Sequence, residues 1–271
     1  MEKLGMTTTY EDLENLSVPQ ALRRSVRMVP EKVCVSFKDR TMTYRELDEQ
    51  SNALASSLQN MGIEKGDRVA IYLSTCPELY VAFYALQKIG VITAWVNAAY
   101  RTHELTFILN NSSAKAVFVQ KGKDDSDNLA LLQNLRGSLP HLCYIISLGG
   151  GHGDGVVGFE DLLSAGRDKK YSEPAIDIHQ DLSMLIYTSG TTGIPKGSMV
   201  TQHQVVRGGY SHVRGVEATA DDIFLGILPL THSYGCGTTL IQPILIQASV
   251  ILLEAFAPEE AFKAIEAGKA T

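Results

Sequence analysis

From Asp67 onward, short apolar runs alternate with stretches of helical period, and this restricts the fold more than any other feature. Residues 68–73, 91–96, 116–120 and 142–148 read as strands, while 77–89 (closed by Gly90), 102–110 and 128–136 read as helices. Strands separated by whole helices pair in parallel through crossovers, so the expected class is α/β, built as two stacked sheet-and-helix lobes. Trp95, the single tryptophan, and Asn97 fall at a strand end, where open α/β sheets place ligands, although core packing is the reading taken for Trp95.

Before that region, residues 1–16 carry little periodicity and are expected to form a mobile N-terminal arm. A helix starts at Ser17 with Pro19 in its first turn and ends before Pro30. Residues 33–37 alternate like a strand, and Asp39-Arg40 reads as a turn. Thr43-x-x-Glu46 is a capping box, opening a helix whose Leu47, Leu54, Leu58 and Met61 share one face until Gly62 stops it. Residues 169–180 read as a polar linker. The later part reads as helix 202–210, strand 223–228, helix 234–247 kinked at Pro243, strand 250–253 and a last helix from Pro258 to near Gly268. The domain division expected is 17–66 plus 222–271 in one discontinuous lobe and 67–221 in the other.

The densest chemistry lies at 187–197, Tyr-Thr-Ser-Gly-Thr-Thr-Gly-Ile-Pro-Lys-Gly, after the apolar run 184–187. Glycines let backbone N–H groups crowd toward an anion, Thr188, Ser189, Thr191 and Thr192 add hydroxyl donors, and Lys196 adds a positive charge. A helix-compatible segment begins near Thr201, so strand, loop and helix form the layout of a phosphate site. The Walker pattern fails, because Pro195 precedes the lysine and Gly197 follows it. The G-x-S-x-G elbow also fails, with Tyr187 and Thr191 on either side of Ser189. Residues 153–158 satisfy G-x-G-x-x-G, but only a short helix at 159–165 follows and no acidic residue ends a strand at ribose distance, so they read as a surface connection.

Residues 187–197 resemble the signature loop of the adenylate-forming enzymes, the group of acyl-CoA synthetases, luciferases and peptide-synthetase adenylation domains. Thr43-Tyr44-Arg45-Glu46-Leu47, residues 86–90, and Leu228-Pro229-Leu230-Thr231-His232-Ser233-Tyr234-Gly235 are similar to further motifs of that family, the last to the segment lining its acyl pocket. The resemblance extends from about residue 17 onward. It implies an ATP-dependent, AMP-forming ligase that activates a carboxylic acid through an acyl-adenylate to a coenzyme A thioester, with Mg²⁺ as bridging cation. By the same resemblance Thr188, Ser189, Gly190, Thr191, Thr192, Gly193 and Lys196 would hold the nucleotide's phosphates. His232 would sit beside the substrate carboxylate, with Tyr234 and Gly235 as further substrate contacts, and Lys196 and His232 would be the catalytic residues. Thr231-His232-Ser233 has no acid to meet an amino group, which favours a fatty or aryl acid. Later adenine, ribose and metal segments of the family would lie beyond Thr271, so the chain reads as the N-terminal portion of a larger enzyme, expected to be inactive alone and to need the missing C-terminal part as its partner. A non-catalytic nucleotide- or acyl-binding fragment is the alternative reading.

Net charge of −6 and the lack of a basic run with interleaved aromatics argue against nucleic acid as a partner. Cys34, Cys76, Cys143 and Cys236 are scattered, suggesting neither a zinc site nor a disulfide framework but buried thiols in a reducing cytoplasm. The stretch 223–253 contains no Asp, Glu, Lys or Arg, yet Gly226, Pro229, Gly235, Gly237 and Pro243 divide it, so it reads as buried core rather than a membrane span.

Overall fold

A computed structural model of the protein describes residues 13, 15–120, 127–151, 153–188, 195–268, 270 and 271. The described strands are β1 (Val33–Phe37), β2 (Arg40–Thr43), β3 (Arg68–Tyr72), β4 (Ile92–Trp95), β5 (Ala116–Gln120), β6 (Tyr144–Leu148), β7 (Val156–Gly158), β8 (Leu182–Thr188), β9 (Lys196–Thr201), β10 (Ile223–Gly226) and β11 (Ser249–Leu252). The helices are α1 (Val18–Met28), α2 (Tyr44–Asn60), α3 (Pro77–Lys88), α4 (Thr102–Asn111), α5 (Asn128–Leu135), α6 (Phe159–Gly166), α7 (Gln202–Gly215), α8 (Ser233–Gly235), α9 (Gln242–Ile246) and α10 (Pro258–Gly268).

Two sheets result, ordered β7-β6-β5-β3-β4-β8-β9 and β10-β11-β1-β2. In the larger, every neighbouring pair is parallel except β8 with β9. In the smaller, β10, β11 and β1 run parallel and β2 returns antiparallel. The fold is α/β with two sheets, as expected. The small sheet takes its strands from 33–43 and 223–252, and the large one from 68–201.

Alternation along β3 shows how the layers stack. Val69 and Ile71 join the core shared with Val35 and Val250 of the small sheet and with helices α1, α2, α3 and α7. Ala70 and Tyr72 face the other way, against Leu105, Ile108 and Leu109 of α4 and Leu129 and Leu132 of α5. Leu13 is buried and Leu16 packs on the shared core, so the end of the expected arm lies against the protein. The capping box forms as read, with Thr43 N–H donating to Glu46 Oε2 at 2.7 Å and Glu46 N–H to Thr43 Oγ1 at 3.1 Å.

Several elements differ from the sequence reading. Arg40 starts β2 rather than completing a turn, because Lys38 (φ 55°) turns the chain one residue earlier. Residues 156–158 pair in parallel with β6 as an edge strand, not a surface connection. A Cβ at Gly151, Gly153 or Gly155 would meet the side chains of Leu129 or Gln133 of α5 or of Arg136 just beyond its end. Those are the ends of side chains, and it is the positive φ at the three positions (146°, 153° and 66°) that favours glycine. α7 runs on to Gly215, beyond the expected Tyr210. Of the four free thiols, Cys34, Cys76 and Cys236 are buried but Cys143 is exposed. Burial alone pushes the Cys236 thiol up to about 12. Trp95 is buried, stacked on Phe83 with centroids 5.6 Å apart.

Candidate functional site

The chain around Lys196 is a strand, not the approach to a helix. β8 and β9 form an antiparallel hairpin in which Tyr187 pairs with Gly197 and Thr188 with Lys196. The expected strand-loop-helix layout is thus corrected, because the strand β9 and not a helix follows the segment 189–194. Helix α7 does begin at Gln202, capped by Thr201 with Gln204, but its N-terminus stands the whole of β9 away from Lys196. Its dipole, which acts within about a turn of the helix end, is not available to the hairpin mouth. The cationic and hydroxyl side chains described at that mouth are those of Lys196 and Thr188. Ser189, Gly190, Thr191, Thr192 and Gly193 lie outside the described residues. Thr188 and Lys196 are both exposed, and the Lys196 side chain has no hydrogen-bond or ion-pair partner among the described residues.

β4 supports β8 only over Met184–Ile186, so Tyr187 and Thr188 project past that ladder at the C-terminal ends of the parallel strands. Two contacts fix this projection. Tyr187 Oη donates to Asn111 Oδ1 at 2.8 Å, at the end of α4, and burial raises the Tyr187 pKa. Its ring lies across Gly197, 3.1 Å from where a Cβ would stand.

The second group of expected site residues forms a tight turn into a helix. His232 N–H donates to Pro229 O at 3.0 Å, Cys236 N–H to His232 O at 2.8 Å, and Tyr234 N–H to His232 Nδ1 at 3.2 Å. Because Nδ1 is the acceptor, the neutral imidazole carries its proton on Nε2, and His232 is exposed. Gly235 is required here, since a Cβ would strike the Pro229 carbonyl oxygen. Tyr234 is 53% exposed, its ring edge-to-face with His212 of α7 at 5.8 Å.

The expected kink at Pro243 is replaced by a π-helix at Cys236–Ile241, between α8 and α9. Pro243 brings no N–H to the turn before it, and the wider turn leaves carbonyls to be satisfied from elsewhere. Buried tyrosines of the neighbouring helices supply the donors. Tyr80 Oη donates to Thr239 O at 2.7 Å, Tyr84 Oη to Leu240 O at 2.8 Å, and Tyr44 Oη to Pro243 O at 3.1 Å and Ala248 O at 2.7 Å. Burial holds all three phenols well above their ordinary range, as donors only.

A buried amide network anchors the base of the hairpin. Gln87 Nε2 donates to Thr93 Oγ1 and to Ser183 O, both at 3.1 Å, while Gln87 Oε1 accepts from Ser183 Oγ at 2.7 Å and from Gln202 Nε2 at 2.8 Å. Gln202 Oε1 in turn accepts Val18 N–H at 2.9 Å. α1, α3, β8 and α7 are tied at one point. Sequence reading missed it, although a glutamine inside the apolar helix 77–88 was a signal.

The structure therefore brings together Thr188 with Lys196, and His232 with Tyr234 and Gly235. Among the described residues no hydrogen bond or ring contact joins the two groups. The segments that carry them touch one layer down, where Cys236 Sγ lies 4.0 Å from Met184 Sδ of β8. A cavity of about 730 Å³ lies elsewhere, between the small sheet and α10, lined by Ile251, Leu253, Lys263 and Ala264. Among the described residues, no three His, Cys, Asp or Glu side chains converge as a metal set, and no helix is long and apolar enough to cross a membrane.

Residues 22–271 match the AMP-binding enzyme family, and the chain belongs to that family. Among curated proteins it is 29% identical over 254 residues to the medium-chain fatty-acid–CoA ligase of Escherichia coli (strain K12), covering 92% of this chain and 44% of that one. It is 27% identical over 281 residues to the long-chain-fatty-acid–CoA ligase of Bacillus subtilis (strain 168), covering 96% and 50%. Among solved structures, the anthranilate CoA ligase AuaEII in complex with anthranoyl-AMP superposes with a TM-score of 0.86 at 25% identity, over 97% of this chain and 50% of that one. The chain spans about half the length of the curated relatives it matches.

Proposed function

We propose that this chain is the N-terminal portion of an ATP-dependent, AMP-forming acyl-CoA synthetase acting on a fatty or aryl acid. The observation that carries the reading is the hairpin mouth, where Lys196, exposed and unpartnered among the described residues, faces Thr188 at the C-terminal ends of a parallel sheet. The names borne by the matched relatives support it.

In this reading the substrate carboxylate attacks the α-phosphorus of ATP, the bond to the bridging oxygen breaks, and pyrophosphate leaves. Lys196, with the hydroxyl of Thr188 and the loop 189–193, offsets the charge growing on that leaving group. His232, with Nδ1 held by Tyr234 N–H, is left to donate from Nε2 to the carboxylate. The coenzyme A thiol, losing its proton, then attacks the acyl carbon, the acyl–phosphate bond breaks, and AMP leaves as the thioester forms. Mg²⁺ bound to the ATP phosphates would add charge neutralisation there. We assign the two sheets to two lobes, 17–66 plus 222–271 and 67–221, with 1–16 as the N-terminal arm. A reducing cytoplasm suits the free thiols.

Positioning dominates nucleotidyl transfer, so half the length of the relatives should support weak binding of a phosphate-bearing ligand without turnover until the C-terminal part is supplied. The test gives the 271-residue chain ATP, Mg²⁺ and a panel of fatty and aryl acids, and looks for acyl-adenylate and pyrophosphate. Acid-dependent turnover by this chain alone would show that the catalytic residues have been misplaced. Failure to bind ATP or pyrophosphate would remove the role of the hairpin mouth.

A further inference from the structure

At the opposite end of β8 from Thr188, two histidines from separate segments meet. His179 lies in the turn before β8 and His203 in the first turn of α7, and their ring centroids are 4.5 Å apart with planes inclined at 46°. Their backbones are tied together: His203 N–H donates to Ile178 O at 2.9 Å, His179 N–H to Asp177 Oδ1 at 3.0 Å, and Asp177 N–H to Asp181 Oδ2 at 2.8 Å. Asp181 also pairs with Lys65 at 2.6 Å, which balances the local cation. His179 is exposed and His203 half-buried, so water can reach both rings.

The spacing is that of a ring contact, and it also fits two imidazoles on one ion. A metal–imidazole bond is about 2.0–2.1 Å, and adding about 1.1 Å from nitrogen to ring centre puts a bound ion about 3.2 Å from each centroid. Two rings on one ion at a right angle then have centroids about 4.5 Å apart, whereas a tetrahedral angle needs about 5.2 Å. We propose that His179 and His203 form a two-imidazole site for a divalent transition-metal ion of right-angled geometry, Cu²⁺ or Ni²⁺, completed by water. Neither the hairpin mouth nor the His232 turn takes part. An ion there would clamp the segment 169–181 onto the start of α7, and because it binds the folded chain it would raise thermal stability.

The experiment titrates Cu²⁺ into the untagged protein in a non-coordinating buffer, by calorimetry and electron paramagnetic resonance, alongside His179→Asn and His203→Asn. The expected result is one saturable Cu²⁺ per chain, coupling from two nitrogens, a rise in Tm, and at least a tenfold loss of affinity in each variant. The site is refuted by an absence of one-to-one binding, by coupling from fewer than two nitrogens in the unaltered protein, or by unchanged affinity in both variants. The nitrogen count needs no variant, so a substitution that perturbs folding leaves a decisive measurement in place.

Discussion

Tyr187 and Gly197 oppose each other across the β8–β9 ladder, and the tyrosine ring occupies the space that any side chain at 197 would need. The Tyr187 hydroxyl is held by Asn111, so the ring cannot swing away freely. Gly197→Val should displace the ring and destabilise the protein by about 1–2 kcal/mol, despite the better strand propensity of valine. A thermal melt reads the loss. In the Gly197→Val background, Tyr187→Phe should cost little more, because the bond to Asn111 is already broken.

Lys196→Ala should leave the melting temperature unchanged, since the side chain is exposed and makes no ion pair among the described residues. Pyrophosphate binding, followed by calorimetry, should weaken by up to about tenfold with the loss of one charge. Equal affinities for the two proteins would take Lys196 out of the phosphate site.

Gln87 is the centre of the buried amide network, so Gln87→Leu strands Ser183 Oγ and Gln202 Nε2 without partners. The cost should be about 2–4 kcal/mol in urea unfolding. Adding Gln202→Leu should cost clearly less than in the native background, because its partner has already gone. Strict additivity would mean that the two glutamines act independently.

Lys88 is the most buried amine described, with Nζ donating to Asp48 Oδ1, Ser51 Oγ and Asn52 Oδ1, each at 2.7 Å. Desolvation outweighs these partners and lowers its pKa from 10.5 to about 8. The unfolded chain therefore holds more protons above pH 8 than the folded one does, and stability linked to this group rises between about pH 8 and 10.5. From pH 8 to 9.5 the gain should be of the order of 2 kcal/mol relative to Lys88→Met. Parallel stability profiles for the two proteins would show that the amine keeps its proton.

What was legible in the sequence was whatever depended on local pattern. The parallel core strands β3 to β6 are short apolar runs between helices, and the Thr43–Glu46 box shows its three-residue spacing directly. β9 was hidden because Lys196, Gly197, Ser198 and Met199 are all exposed at the sheet edge, so no apolar period marks them, and pairing with β8 makes the strand. Missing it made the loop look continuous with α7. The Gln87–Gln202 contact spans 115 positions, and no local rule can pair two amides across that distance. For the same reason the motif 228–235 could be read as a string of residues, but not as a turn that lends His232 Nδ1 to Tyr234 N–H.

The π-helix between Tyr234 and Pro243 carries a last consequence. A π-turn holds one residue more than an α-turn, so Cys236–Ile241 amounts to a helix with a single residue inserted. Because the wider turn absorbs the extra residue, removing one there would restore ordinary winding while leaving the flanks close to their present phase. His232 and Tyr234 would keep their direction, but Tyr80 and Tyr84 would lose the carbonyls they hold to the helix's own N–H groups. The extra residue thus serves the tyrosines rather than the imidazole, since it frees the two carbonyls by which α3 grips this segment.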